Sequence, residues 1–264
     1  MIIGVYQFSP RWADVDYNLS RITETLFKYK DVDLWVLPEL CTTGYYFENI
    51  KKMEELAEFF PKGKTSKVML ETTRNIKTSV IMGVMEKLGD RYFNSAAVFS
   101  KGNFIGIYRK IHLFNTEKEI FAPGFEYPQV FTIDDVKIGV MICFDWIFPE
   151  VTRSLALSGA MIIAHPANLV LPYCQNAMTT RSIENRVFTV TANRVGMEII
   201  GKKSYLKFTG KSQVTSPDGK VLGSLSDKEE NVLIVEIDPE EALDKNITEN
   251  NNLFEDRHPD LYRL

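Results

Sequence analysis

Cysteine and histidine are scarce in this sequence, and their spacing excludes several kinds of site. The 264 residues contain three cysteines and three histidines, which are Cys41, Cys143, Cys174, His112, His165 and His258. An odd number of cysteines with no CxxC pair argues against a disulfide framework or a thiolate zinc site, and no HExxH sequence occurs. We therefore expect a protein of a reducing compartment, the cytoplasm, with no metal ion and no other cofactor.

Long apolar runs and basic clusters are also missing. No apolar stretch approaches the roughly 18 residues of a membrane span. The apolar opening, residues 1–8, is too short for a secretory signal and lacks a basic start. The 31 basic residues face 35 acidic ones, a formal net charge of -4, and they form no stripe that could hold a phosphate backbone. These features argue against membrane and nucleic-acid partners.

Short β-rich apolar runs alternate with amphipathic stretches along most of the chain. The predicted strands cover residues 2–8, 34–37, 79–85, 95–100, 104–108, 136–142, 161–164, 188–192, 214–215, 221–222 and 232–237. The predicted helices cover residues 17–30, 65–77, 150–158 (entered through Pro149) and 176–184. This alternation places helices outside the sheets, and the number of strands favours two stacked sheets. The chain after Pro239 is polar, and we do not expect residues 246–252 to pack independently.

Three residues whose side chains can take part in catalysis follow predicted strands. In such sheets, ligands bind outside the carboxyl ends of the strands. They are Glu39, Lys110 and Cys143. Taken singly, each has an ordinary explanation: a loop carboxylate, a solvated lysine and a small buried thiol. Position alone therefore does not identify a catalytic site.

Three ordered motifs surround these residues. They read PEL at 38–40 with TGY at 43–45, YRKIHLF at 108–114, and CFDWIFPE at 143–150. Further matches are ENR at 184–186, TANR at 191–194 and PDG at 217–219. Together these segments resemble the nitrilase, or carbon–nitrogen hydrolase, superfamily, and the resemblance covers about residues 2–238.

The resemblance implies an α/β fold, a four-layer α-β-β-α sandwich of two stacked mixed sheets flanked by helices. It implies one domain over residues 1–264, with a polar tail from about residue 239. Members of the family pair, often through the helix after the cysteine, so a homodimer or higher homo-oligomer is expected through residues 150–158.

The resemblance also implies roles for the three residues. Cys143 is the expected nucleophile, Glu39 the residue that carries its proton, and Lys110 a cation for the developing oxyanion, with the N–H of Phe144 as a second donor. A positive neighbour should also keep the pKa of the thiol low. The second glutamate frequent in the family must lie between Lys110 and Pro123. Glu117 fits this position best, and Glu119 competes with it.

A cysteine–histidine hydrolase is the rival mechanism. His112 lies two residues after Lys110, on the same strand face if the strand continues, although we favour a structural role. His165 either lines the pocket or caps it. The candidate substrate-binding residues, which follow strand ends near the centre, are Tyr45, Phe144, Trp146 and Asn168.

The expected function is hydrolysis of a non-peptide C–N bond in a small-molecule amide or carbamoyl amine through a thioester. An aliphatic nitrilase using the same residues is the first alternative, and a catalytically silent binding protein on the same fold is the second. The sequence shows no ATP-binding domain and no membrane segments, which argues against a glutamine-fed synthetase and a lipoprotein acyltransferase.

Overall fold

Strands and helices alternate through the described residues, 1–46, 50–200 and 204–263, of this computed structural model. In chain order the strands are β1 (Ile2–Gln7), β2 (Leu34–Val36), β3 (Ser79–Leu88), β4 (Arg91–Ser100), β5 (Asn103–Arg109), β6 (Val130–Ile133), β7 (Val136–Val140), β8 (Ile162–Ala167), β9 (Phe188–Asn193), β10 (Met197–Ile200), β11 (Ser204–Lys207), β12 (Gln213–Thr215), β13 (Val221–Ser224), β14 (Asn231–Glu236), β15 (Asn246–Thr248) and β16 (Asn251–Asn252). The α-helices are α1 (Val15–Lys28), α2 (Ile50–Leu56), α3 (Lys64–Ile76), α4 (Glu117–Ile120), α5 (Pro149–Leu157) and α6 (Cys174–Asn185). Short 3-10 helices cover Cys143–Ile147, Pro239–Leu243 and Pro259–Leu261.

The main strands form two six-stranded mixed sheets. The first has the order β14-β1-β2-β3-β4-β5 and the second β13-β12-β9-β8-β7-β6. Three neighbouring strands are parallel in each sheet, β1-β2-β3 and β7-β8-β9. Parallel neighbours need a crossover, and α1, α3, α5 and α6 each lie within one of these connections. The parallel strands therefore bring their carboxyl ends to one edge of each sheet.

Side chains on successive strand residues point to opposite layers. In β2, Leu34 and Val36 pack in the core that also contains Val140 of the second sheet, whereas Trp35 packs with α1 and α3 on the outer face. Helices α5 and α6 contact the second sheet. The predicted four-layer α-β-β-α sandwich is confirmed.

Helix α1 shows how local sequence sets an element. The Asp14 side chain accepts a hydrogen bond from the N–H of Tyr17 and caps the helix, while Leu19, Ile22 and Leu26 form its buried face. With 14 residues, α1 is the longest of the described helices. None of the helices in the described stretches has the length and apolar character needed to cross a membrane.

Several elements differ from the sequence prediction. The β3-β4 hairpin extends to Leu88 and Arg91, because the buried Glu86 is paired with Arg109 and Ser95 and so fits inside the sheet. The prediction also missed α2, α4, β6 and the β10-β11 hairpin, which are short and depend on tertiary contacts. Residues 246–252 form the β15-β16 hairpin, where only a polar tail was expected.

Candidate active site

Cys143 lies in a tight turn between β7 and α5. The predicted strand over residues 136–142 ends at Val140, and a 3-10 helix begins at Cys143. The φ angle of Cys143 is 42°, a left-handed conformation that costs roughly 1–3 kcal/mol for a residue with a side chain. Strained strand-to-helix turns are a known way to present a nucleophile.

Asp145 holds this turn with a fully buried carboxylate. Its Oδ2 accepts hydrogen bonds from the Tyr108 hydroxyl at 2.8 Å and the Ile142 N–H at 2.9 Å. Its Oδ1 lies 2.8 Å from His112 Nδ1 and accepts the His112 N–H at 3.1 Å. One carboxylate therefore ties the Cys143 turn to the segment that follows β5.

His165 supports the same turn from β8. Its Nε2 lies 3.0 Å from the carbonyl oxygen of Cys143, and its Nδ1 lies 3.1 Å from Thr191 Oγ1. Because a carbonyl can only accept, Nε2 carries the proton and the Thr191 hydroxyl donates to Nδ1. Burial lowers the pKa of His165 to about 4, so the neutral ring supports the backbone of the cysteine.

Glu39 enters the site from the carboxyl end of β2. Its backbone carbonyl accepts a hydrogen bond from Asn168 Nδ2 at 2.8 Å. The backbone of Gly83 packs against it so closely that a Cβ there would lie 2.3 Å from the Cα of Glu39. Any side chain at position 83 would displace Glu39, which explains the glycine in an otherwise apolar strand.

Lys110 joins two carboxylates in a buried cluster. Its Nζ donates to Glu39 Oε1 at 2.7 Å and to Glu117 Oε1 at 2.8 Å, and the Lys110 and Glu39 side chains are 0% exposed. Asn94 Nδ2 donates to the same Glu39 oxygen at 2.7 Å. The other oxygen, Glu39 Oε2, has no hydrogen-bond partner among the described residues. One oxygen of Glu39 is thus fixed, and the other is free to exchange a proton.

Glu117 is the glutamate that lies in this cluster, at the start of α4. Its Oε1 also accepts the Tyr45 hydroxyl at 2.6 Å, and its Oε2 accepts the Phe114 N–H at 3.2 Å. Glu119, the competing candidate, is exposed. The two residues lie on different faces of the one-turn helix α4. The offset from Lys110 in the sequence could not distinguish between them.

Charge and burial oppose each other in the cluster. Burial raises the pKa of the Cys143 thiol well above its ordinary value and the charge on Glu39 raises it further, although Lys110 acts in the opposite direction. Lys110 lowers the pKa of the thiol, as expected, but desolvation outweighs the single cation, so the net pKa is raised. Burial also raises the pKa of Glu39 despite Lys110. Burial alone would lower the pKa of Lys110, but Glu117 and Glu39 raise it overall.

A narrow cleft opens above Cys143, with an empty volume of about 260 Å³. Three of the four candidate substrate-binding residues line it, namely Phe144, Trp146 and Asn168. The fourth, Tyr45, is directed to Glu117 instead. Across the described residues, no group of His, Cys, Asp and Glu is arranged to hold a metal ion.

A buried ion pair fixes the loop that carries Tyr45. Glu198 accepts the backbone N–H groups of Tyr45 at 3.0 Å and Tyr46 at 2.8 Å. Its partner Arg194 is 0% exposed and lies over the Phe208 ring at 4.0 Å. Gly44, with φ of +86°, makes the turn that brings these N–H groups to Glu198.

His112 lies outside the cluster. Strand β5 ends at Arg109, so the strand-face relation with Lys110 does not hold. The ring instead contacts Asp145 and stacks on Phe148 at 3.7 Å. Sequence reasoning gave no role to Asp145 or Asn94. The predicted strand begins at residue 95, so Asn94 lies outside it and nothing in the sequence indicates its role.

Comparison with known proteins gives consistent matches over the chain. A family model described as carbon-nitrogen hydrolase matches residues 2–244. A nitrilase of Pyrococcus abyssi is 44% identical over 98% of both chains. An N-carbamoylputrescine amidase of Solanum lycopersicum is 31% identical over 84% of this chain and 80% of its own. The crystal structure of a Helicobacter pylori carbon-nitrogen hydrolase is 27% identical, with a TM-score of 0.86 over 99% of this chain and 96% of that one.

Proposed function

Because this chain belongs to the carbon–nitrogen hydrolase family of the nitrilase superfamily, whose members are enzymes acting on amides or nitriles, we propose that it hydrolyses a small amide through a thioester on Cys143. Glu39, Lys110 and Glu117 complete the proposed machinery. The observation that carries the proposal is the buried Glu39–Lys110–Glu117 cluster, with a free carboxylate oxygen, next to a cysteine at the floor of a cleft.

Cys143 is the proposed nucleophile. Burial keeps it a thiol at rest, and a thiol must lose its proton as it attacks. Cys41 and Cys174 are equally buried, but neither lines this cleft. Their position supports ordinary packing roles for both.

Glu39 is the proposed base and acid. Burial raises the affinity of its carboxylate for a proton, and its Oε2 has no competing partner among the described residues. A carboxylate with these properties can take the thiol proton, give it to the leaving nitrogen and then activate water.

Lys110 is the proposed oxyanion stabiliser. Its pKa is raised by Glu117 and Glu39 in spite of burial, so it remains a cation at neutral pH. The N–H of Phe144 lies in the first turn of a 3-10 helix, where backbone donors lack intrahelical acceptors. It is the proposed second donor.

The proposed hydrolysis has two stages, acylation of Cys143 and hydrolysis of the thioester. The thiol sulfur of Cys143 bonds to the carbonyl carbon while its proton passes to Glu39, and the oxygen takes the negative charge. The C–N bond breaks, the proton moves from Glu39 to nitrogen, and ammonia leaves an acyl thioester. Water then loses a proton to Glu39, attacks the thioester, and releases the acid and the thiol.

Asn168 is the proposed contact for the substrate amide. Its Nδ2 must face the Glu39 carbonyl, which only accepts, so Oδ1 is the remaining polar atom, buried and without a partner in the described chain. An acceptor at the cleft suits the N–H of a carboxamide. A nitrile has no N–H to offer, which favours amides over the nitrilase alternative, although the same cluster can add a thiol to a nitrile carbon and then two waters.

A cysteine–histidine mechanism has less support. His112 contacts Asp145, and His165 is neutral and holds the Cys143 carbonyl. Exchange of Glu39 for Gln keeps the shape of the side chain but cannot carry a proton. We expect Glu39→Gln to lower kcat by about a hundred- to ten-thousandfold and His112→Asn to lower it far less, as measured by ammonia release from one amide. A dead His112→Asn beside an active Glu39→Gln would favour the rival mechanism.

The reactivity of the Cys143 thiol distinguishes an enzyme from a catalytically silent binding protein. An enzyme should release ammonia from at least one amide, carbamoyl amine or nitrile, and iodoacetamide should alkylate Cys143 selectively. A silent protein would show neither.

Assembly and location complete the proposal. Exposed apolar side chains on α5, on α6 and near the C-terminus, Leu157, Ile183 and Leu261, support a homodimer formed through these elements. Sedimentation equilibrium of the wild type and Leu157→Asp would test it. The three free cysteines support the cytoplasm as the compartment.

A further inference from the structure

The walls of the cleft above Cys143 are uniformly apolar. Beyond Cys143 and Asn168, the residues that line it are Phe114, Phe144, Trp146, Leu169, Val170 and Leu171. No ionisable side chain other than the cysteine itself is among these lining residues in the described chain. A bound acyl group would therefore contact mainly apolar side chains.

The charged residues of the cluster near Cys143 are already paired. Lys110 is bound to both carboxylates, and Glu117 is further bound by Tyr45 and Phe114. None of these three charged residues is among those that line the cleft.

Other charged residues line neighbouring clefts. Lys118 lines a cleft that shares Phe144, while Lys207, Lys211 and Asp227 line another that shares Val170. These charged residues are not among those that line the cleft at Cys143.

We propose that this enzyme selects substrates whose acyl group is short, uncharged and apolar, and that it rejects charged ones, including cationic carbamoyl amines. This inference rests on the proposed function. A charge taken into the cleft would lose hydration and meet no ionisable partner among the described lining residues other than Cys143, which costs about a hundred- to a thousandfold in binding or rate.

Two isosteric pairs test the selection by ammonia release at neutral pH. Hexanamide is compared with 5-aminopentanamide, and pentylurea with N-carbamoylputrescine, so that each pair differs by a methyl group against an ammonium group. We expect kcat/KM to be at least about a hundredfold higher for the neutral member. Equal values within either pair would overturn the inference while leaving the proposed function standing.

A charge placed in the wall provides the matched test. Leu171 is 42% exposed and can carry a carboxylate without a folding penalty, and Leu88, 40% exposed on the β3-β4 hairpin, is the control. Leu171→Asp should reduce the preference for hexanamide over 5-aminopentanamide at least about tenfold, and Leu88→Asp should leave it unchanged. An unchanged preference in Leu171→Asp would contradict the assignment of this wall. Absence of ammonia from every substrate would overturn the proposed function together with the inference.

Discussion

Replacement of Asp145 by Asn tests how the fold holds the nucleophile turn. Each oxygen of the buried carboxylate binds two groups. Oδ2 accepts the Tyr108 hydroxyl and the Ile142 N–H, and Oδ1 binds the backbone N–H and the ring Nδ1 of His112. An amide keeps one oxygen and turns the other atom into a donor. The new N–H group must then face the backbone N–H of either Ile142 or His112, and one of these loses its acceptor.

The expected loss follows from these contacts. A buried N–H without an acceptor costs about 1–3 kcal/mol, and the remaining hydrogen bonds lose the strengthening of a charged acceptor. We expect Asp145→Asn to lower the free energy of unfolding by about 2–4 kcal/mol. Because Cys143 is held at φ 42° by this turn, kcat should also fall, by about ten- to a hundredfold for a displacement below 1 Å.

Urea denaturation followed by circular dichroism measures the first effect, and ammonia release measures the second. The matched control is Asp134→Asn, which removes an exposed carboxylate paired with Lys101 and should cost less than about 1 kcal/mol. The reasoning is refuted if the two variants unfold at the same urea concentration and have the same kcat.

Three further predictions concern single residues. Lys110→Met should lower kcat about a hundred- to a thousandfold, and near-normal ammonia release would remove Lys110 from the mechanism. Tyr45→Phe removes the 2.6 Å hydrogen bond to Glu117 and should lower kcat about tenfold with little change in stability; an unaltered kcat would make this bond incidental. Burial lowers the pKa of His165 from 6.5 to about 4. As the pH falls from 6.5 to about 4, the unfolded chain therefore binds a proton that the folded chain does not, and the free energy of unfolding decreases by about 3 kcal/mol. In His165→Gln, the free energy of unfolding measured by urea denaturation should depend less on pH in this range, and an unchanged pH dependence would contradict the prediction.

Local pattern and motif were enough to predict the layers of the fold and four of the residues that line the cleft, Cys143, Phe144, Trp146 and Asn168. Alternation of apolar runs with amphipathic stretches predicted helices outside two stacked sheets. Glu39, Lys110 and Cys143 were found because each follows a strand within a recognisable motif, and the structure brings the first two into contact.

Contacts between distant segments could not be predicted in the same way. Tyr45 reaches Glu117 across 72 residues of chain, and Asn94 reaches Glu39 across 55. Tertiary packing of strands, loops and helices decides such contacts, and the local periodicity of the sequence does not indicate them. The net shift in the pKa of the Cys143 thiol could not be predicted either, because it depends on burial, which exceeds the lowering effect of the neighbouring lysine.

The most direct test of the central claim is to locate the acyl group during turnover. A reaction with a good amide is quenched in acid, and peptide mass spectrometry identifies the modified residue. The account predicts an acyl thioester on Cys143, none on Cys41 or Cys174, and no turnover in Cys143→Ala, with Cys174→Ser as an active control. An adduct on another residue, or a Cys143→Ala variant that keeps about a tenth of the wild-type rate, would contradict it, because loss of a true nucleophile removes nearly all turnover.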